Sequence, residues 1–173
     1  MGNALILVDA QRDMLEGETA VEQAETFRAA LFELLERARA AGVPIVHVQN
    51  DGAVGEPDQP WTPGWELSFR ALPGEPVVRK AVGNTFEANP ALADVLRAMG
   101  VDAVVVAGLQ SERCIQATSR GALAHGFDVT VPSDGHTTYD DGEPAAAIAE
   151  RVTRELEADG VRILDLEHVV FAR

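Results

Sequence analysis

The one cysteine of the chain, Cys114, stands where a short apolar run gives way to a helical pattern. The run from Val104 to Ala107 is typical of a strand buried on both faces, and Gly108 interrupts it. Apolar spacing from Ile115 onward predicts a helix that starts close to the cysteine. The positive end of a helix dipole favours thiolate, so we expect a lowered thiol pKa and a nucleophile. A buried structural cysteine is the alternative.

Two charged residues follow other strand-like runs. Asp9 comes directly after the apolar run 4–8, and Lys80 follows the extended run 75–79. In open α/β sheets the ligand crevice lies at the carboxyl ends of the strands, where both residues and Cys114 would meet. Together they would supply a base, an electrostatic partner and a nucleophile. Taken singly, an aspartate is more often a turn residue and a lysine more often solvated.

The elements that must position these residues alternate between strand and helix, which predicts an α/β fold with one domain over residues 1–173. Helices are expected from a capping box at Thr19–Glu22 to Gly42, from Pro90 to Gly100, after Cys114, and from Pro144 to about Ala158. Predicted strands cover residues 4–8, 43–48, 75–79, 104–107, 127–131 and 161–164, with an extension over 166–171. A reversal of strand order beside the first strand would put Asp9 and Cys114 on neighbouring strands.

Composition narrows the class of protein. The chain has 173 residues, 46% of them hydrophobic, which suits one domain with a sizeable core. Its 28 acidic and 14 basic residues give a formal charge of -14, which argues against nucleic-acid and anionic-membrane partners. The acidic excess suits a cationic substrate or simply confers solubility. A single cysteine, no signal peptide and no apolar run of membrane-spanning length indicate a cytoplasmic protein.

Three segments resemble motifs of the isochorismatase-like cysteine hydrolases, which include nicotinamidases and N-carbamoylsarcosine amidases. Residues 7–14, LVDAQRDM, resemble the opening hydrophobic-Asp-x-Gln-x-Asp-Phe motif, with Met14 where an aromatic is usual. Residues 80–86, KAVGNTF, resemble the motif that follows the family lysine. Residues 107–118, AGLQSERCIQAT, are similar to the motif that carries the family nucleophile.

This resemblance implies a three-layer, Rossmann-like α/β/α fold with a six-stranded, mainly parallel sheet. It makes Asp9, Lys80 and Cys114 a catalytic triad, and it implies a cis peptide between Leu109 and Gln110. Backbone N–H groups of Gln110 and Cys114 would form the oxyanion hole. The expected reaction is hydrolysis of a small amide, lactam or carbamoyl C–N bond through a thioester. Hydrolysis of a vinyl ether, as in isochorismatase itself, and a non-catalytic redox or binding role are the alternatives.

The long, proline-rich segment 49–76 carries both tryptophans and is expected to be an ordered lid over the crevice. The alternative is that the tryptophans pin this loop to the domain or bury against a second subunit. His136 either lines the pocket rim or organises its loop. The substrate pocket is therefore expected to include Gln11, Met14, Trp61, Trp65, Phe86, Leu109 and His136.

No metal and no organic cofactor are expected. The Asp-x-His pair that holds a metal in nicotinamidases is missing, and His47 falls inside a strand-like run. The histidines show no zinc-binding spacing, and neither a Walker A motif nor Gly-x-Gly-x-x-Gly is present. Without that pair, nicotinamide is not the expected substrate. The expected partners are a small amide substrate and further copies of the chain, in a homodimer or homotetramer.

Overall fold

The computed structural model describes residues 2–173 and consists of a central sheet with helices on both faces. The strands are β1 (Gly2–Val8), β2 (Ile45–Asn50), β3 (Val77–Lys80), β4 (Val101–Leu109), β5 (Asp128–Pro132), β6 (His136–Thr137) and β7 (Arg162–Leu164). The α-helices are α1 (Arg12–Leu15), α2 (Ala24–Ala41), α3 (Thr85–Ala88), α4 (Leu92–Ala98), α5 (Gln116–Ala124) and α6 (Ala145–Ala158). A π-helical turn (Ser111–Ile115) precedes α5, and a 3₁₀ turn (Leu166–His168) follows β7.

The sheet runs in the order β3-β2-β1-β4-β5-β7, with the short β6 beside the end of β4. All these strand pairs are parallel. The predicted α/β fold is confirmed, as is the pairing of β1 with β4 at the point where the strand order reverses. Within residues 2–173 the sheet has seven strands, where six were expected. The expected extension over residues 166–171 was wrong, because residues 166–168 form a 3₁₀ turn and residues 169–171 are not in a strand.

Strand β1 shows why helices cover both faces of the sheet. Ala4, Ile6 and Val8 are buried in one core cluster, which α4, α5 and α6 complete. Leu5 and Leu7 point to the other face and pack in a second cluster with the apolar residues of α2. A strand buried on both faces requires the continuous apolar run that the sequence shows.

Helix α2 ends as expected but begins later. Its C-cap is Gly42, whose positive φ of 66° suits glycine. The predicted capping box at its start was wrong, because the helix begins at Ala24 after Gln23 in a left-handed conformation. Thr19 instead donates its hydroxyl to the Asp13 carbonyl, 2.7 Å away.

No helix within residues 2–173 combines the length and the apolar composition needed to cross a membrane.

Candidate active site

Three strand ends bring Asp9, Lys80 and Cys114 together. Asp9 follows β1, Lys80 is the last residue of β3, and Cys114 lies in the π-helical turn after β4. The Lys80 Nζ lies 2.8 Å from Asp9 Oδ2 and 3.1 Å from Cys114 Sγ. It also donates to Asn50 Oδ1, 3.2 Å away at the end of β2. The ammonium group therefore sits between a carboxylate and the thiol, as the positions of the strand ends predicted.

The approach of β4 to β1 depends on Gly108. Its φ is 129°, and a Cβ there would lie 2.0 Å from the Val8 carbonyl oxygen. Any other residue would push apart the two strands that carry Asp9 and Cys114. The peptide between Leu109 and Gln110 is cis. The chain then enters the π-helical turn, in which Ile115 N donates to the Gln110 carbonyl at 3.1 Å.

Asp9 is held in an environment that opposes its charge. It is 2% exposed, and its backbone has a positive φ of 49°. Burial raises the pKa of its carboxyl group above the ordinary value, although the nearby Lys80 charge works in the other direction. Among residues 2–173, Oδ1 of Asp9 has no hydrogen-bond partner, whereas Oδ2 accepts from Lys80. The free oxygen is available to accept a proton.

The Cys114 thiol is protonated in this site. Burial, followed by the negative charge of Asp9, raises the pKa of Cys114 to about 12, although Lys80 opposes both effects. The expected lowering of the thiol pKa at a helix start was therefore wrong, because desolvation and a carboxylate outweigh the helix dipole. For Lys80, burial lowers the pKa, but the charges of Asp9 and Cys114 outweigh burial and raise it.

A cavity of about 580 Å³ opens above this cluster. Asp9, Cys114 and Gln110 line it, and so does Met14, as expected for a pocket residue. One wall is acidic, with Asp13, Glu56 and Asp58. Burial and the charge of Asp58 raise the pKa of Asp13 to about 7. Arg113, Tyr139 and residues 81–83 complete much of the rest of the lining.

The two tryptophans do not line this cavity, which corrects the expectation for Trp61 and Trp65. Trp61 is 79% exposed. The Arg79 guanidinium lies over both rings, 5.3 Å and 5.0 Å from their centres, and Trp65 Nε1 donates to Asp51 at 2.9 Å. These contacts fasten the long loop to the edge of the sheet, which was the alternative interpretation.

Four other expected pocket residues also lie away from the cavity. Gln11 is fully buried, because its amide donates to the carbonyls of Asn50 and Trp65 and accepts from Asn50 N. Phe86 and Leu109 are buried apolar side chains within the two core clusters. His136 is buried and binds Ser111 and Thr153, so it does not reach the pocket rim.

Sequence reasoning missed Asn50, Asp13 and Asp58 as residues of the site. Asn50 accepts from Lys80 and donates to Asp58 Oδ2 at 2.7 Å, so it links the cluster to the acidic wall. Its position just after the predicted strand 43–48, at the same edge as Asp9, was a usable signal. The position of Asp58 depends on how the long loop folds back, and no local pattern predicts that.

The described part of the chain, residues 2–173, contains no group of three His, Cys, Asp or Glu side chains that could hold a metal ion. His47 lies inside β2 and contacts Glu75 at 2.8 Å, away from the cavity. A metal-independent site stays a prediction.

Comparisons with known proteins agree on one family. Residues 3–160 match the model of the Isochorismatase domain. A streptothricin hydrolase of Streptomyces noursei is 46% identical over 139 residues, which are 79% of this chain and 55% of that protein. The chain thus spans about half the length of the streptothricin hydrolases that it matches.

Solved structures show the same fold. An isochorismatase from Pseudomonas putida superimposes with a TM-score of 0.88 at 27% identity, covering 98% of this chain and 90% of that one. A pyrazinamidase of Pyrococcus horikoshii in complex with zinc gives 0.79 at 25% identity, covering 95% and 99%.

Proposed function

This chain belongs to the isochorismatase family of hydrolases, and on that premise we propose that it hydrolyses a small amide-type C–N bond through a covalent intermediate on Cys114. The observation that carries the proposal is the Lys80 ammonium, which lies within hydrogen-bond distance of both Asp9 and the Cys114 sulfur. A base, a cation and a thiol at one cavity are the parts of an activated nucleophile.

The first half of the reaction forms a thioester. The Cys114 thiol is protonated at rest, so Asp9 must take its proton as the sulfur attacks the carbonyl carbon. The raised pKa of Asp9 makes its carboxylate a better base than an exposed aspartate. Lys80 stabilises the negative charge on the sulfur. When the tetrahedral intermediate collapses, the C–N bond breaks and Asp9 returns the proton to the leaving nitrogen.

The second half regenerates the enzyme. Asp9 takes a proton from a water molecule, whose oxygen attacks the thioester carbonyl. Collapse then breaks the C–S bond, releases a carboxylic acid and returns the proton to the sulfur. In both halves the oxyanion would be bound by the backbone N–H groups of Gln110 and Cys114, two residues that line the cavity.

The acidic wall indicates the kind of amide. Asp13, Glu56 and Asp58 line the cavity, whereas Arg113 is the one lysine or arginine among the residues of 2–173 that line it. A substrate with an ammonium or guanidinium group would neutralise this wall. The likeness to streptothricin hydrolase supports an amide or lactam of this cationic kind. The match covers only about half of that relative, so its substrate is carried over as a proposal only.

Intact-protein mass spectrometry tests the covalent step. The protein is mixed with a panel of primary amides, lactams and N-carbamoyl compounds, with and without an amino group, and quenched within the first turnover. We expect an acyl adduct on Cys114 with the cationic members and none in Cys114→Ala. Turnover of an amide by Cys114→Ala would contradict the mechanism. In a parallel assay with a vinyl ether, hydrolysis by that variant would favour an isochorismatase-type reaction instead.

Two controls separate this chemistry from metal catalysis and from a preformed thiolate. Dialysis against a chelator should leave activity intact, since the proposed steps use only side chains. Alkylation of Cys114 by iodoacetamide should be slow at neutral pH and rise steadily above pH 9, since the thiol pKa is raised to about 12. A plateau in the alkylation rate below pH 8 would show that the thiol is already ionised.

A further inference from the structure

A second set of polar side chains is buried behind the nucleophile, and the mechanism above does not use it. His136 Nδ1 lies 2.8 Å from Ser111 Oγ, and His136 Nε2 lies 3.1 Å from Thr153 Oγ1. Ser111 is fully buried and His136 is 3% exposed, and neither lines the cavity that contains Cys114. These groups cannot touch a substrate, so any effect on the reaction must pass through another residue.

The direction of each hydrogen bond follows from the number of protons available. Thr153 donates its one hydroxyl proton to the Ala149 carbonyl, 2.9 Å away. Towards His136 the threonine oxygen can therefore only accept, so the proton of the imidazole must be on Nε2. Burial lowers the pKa of His136 to about 4, so the ring is neutral and Nδ1 carries a lone pair. Ser111 must then donate to Nδ1.

The three side chains join three separate elements. Thr153 belongs to α6, His136 begins β6, and Ser111 is the first residue of the π-helical turn, three positions before Cys114. Backbone contacts also join β6 to the end of β4, just before the turn. Gly108 N donates to the Gly135 carbonyl at 2.9 Å, and β6 pairs with the end of β4. The first residue of the turn is thereby anchored to both the sheet and α6.

We propose that the one-way hydrogen-bond chain Ser111–His136–Thr153 positions the turn that carries Cys114, with His136 as a positioning residue fixed in its Nε2–H form. The inference rests on the proposed role of Cys114 as nucleophile. A turn held at Ser111 keeps the sulfur at its 3.1 Å contact with Lys80. Loss of the chain would let the turn relax, weaken that contact and reduce the fraction of thiolate.

Nitrogen NMR of the histidine side chains tests the assigned direction without any substrate. At neutral pH the His136 ring should show a protonated Nε2 and an unprotonated Nδ1. Its signal is identified by its loss in His136→Asn, or by substitution of the other three histidines should that variant not fold. A ring protonated on Nδ1, or on both nitrogens, would overturn the proposal.

Alkylation of Cys114 tests the positioning effect, and it works whether or not the proposed amidase activity is correct. Thr153→Val removes the acceptor with little change in shape, and we expect the iodoacetamide rate at fixed pH to fall about fivefold, the effect of one lost hydrogen bond. Thr153→Ser keeps the hydroxyl and should restore the rate.

The matched control is Glu155→Ala on the same helix. Glu155 accepts from Gln116 at 2.5 Å, so it also joins α6 to the chain just after Cys114. It is not part of the hydrogen-bond chain Ser111–His136–Thr153. Cys114 in Glu155→Ala should be alkylated at the same rate as in the unsubstituted protein. An unchanged or faster rate in Thr153→Val, or an equal fall in Glu155→Ala, would show that the chain does not position the thiol. Once a substrate is identified, Thr153→Val should lower kcat and leave KM unchanged.

Discussion

A cluster of charges lies at each end of strand β3, partly buried around Glu75 and fully buried at Lys80 and Asp9. The two clusters differ in how completely those charges are satisfied by hydrogen bonds. Before the strand, Glu75 accepts from Arg39 Nε at 2.7 Å, Arg39 Nη2 at 2.8 Å, His47 at 2.8 Å and Leu72 N at 2.9 Å. At its other end, Lys80 contacts Asp9 and Cys114, but Asp9 Oδ1 has no partner within residues 2–173. One carboxylate is saturated and the other is not.

The difference appears in the pKa values. Donation by Arg39 lowers the pKa of Glu75 to about 2, so its charge stabilises the fold at neutral pH. Burial raises the pKa of Asp9 despite Lys80 beside it. A carboxylate with a free oxygen, a raised pKa and a protonated thiol nearby is costly to bury but ready to accept a proton. The contrast indicates that the first cluster serves stability and the second serves chemistry.

The largest expected effect is loss of activity without loss of structure in Cys114→Ala. The substitution removes one sulfur atom from a half-buried position and leaves the Lys80–Asp9 pair intact. We expect kcat to fall about 10⁴-fold or more, and the melting temperature to change little. Turnover and thermal unfolding are measured on the same preparation. Substantial residual activity would show that the unsaturated cluster is not the reactive one.

Next in size are Lys80→Met and Asp9→Asn. We expect each to lower kcat about 10²- to 10⁴-fold, because a base and a charge partner act in the transition state. Lys80→Met should also destabilise the fold, since it leaves Asp9 buried without its cation. Steady-state kinetics separate the roles: a raised KM with unchanged kcat would assign these residues to substrate binding.

Arg39→Met tests the saturated cluster and should affect stability alone. Removing the guanidinium leaves Glu75 with a buried charge, at a cost of about 3 kcal/mol in the free energy of unfolding. Activity per folded molecule should not change. The control is Arg154→Met, whose ion pair with Glu150 is well exposed and should contribute at most about 0.5 kcal/mol. Urea unfolding measures both. A fall in kcat for Arg39→Met would mean that the two ends of β3 are coupled.

The same contrast explains what could be predicted from the sequence. Asp9, Lys80 and Cys114 were identifiable because each follows a short apolar or extended run, and the ends of parallel strands share one edge. These signals are local in the sequence, and the parallel sheet brings the marked residues together at one edge.

Features that depend on desolvation or on distant loops were not predictable. The thiol pKa was expected to fall, because a sequence displays neighbouring charges but not the depth of burial that outweighs them. The tryptophans were expected in the pocket, yet Arg79, on β3, draws both rings to the edge of the sheet. His136 could not be assigned, since its partner Thr153 lies on a helix that follows later in the chain.

The smallest predicted effect is on how the free energy of unfolding changes at acid pH. Glu75 and Asp9 should change it in opposite directions. Glu75 has a folded pKa of about 2, below the ordinary 4.5, so its contribution is present above pH 4.5 and is lost as the pH falls towards 2. The pKa of Asp9 is raised in the folded state, so protonation of Asp9 favours folding. Asp9 therefore cannot cause a loss of stability as the pH falls. Urea unfolding at pH 3 and pH 6 should therefore show a smaller difference in Glu75→Gln than in the unsubstituted protein, by about 1–3 kcal/mol. An equal pH dependence in the two proteins would mean that Glu75 is not the stabilising charge, and that the saturated cluster owes its role to packing instead.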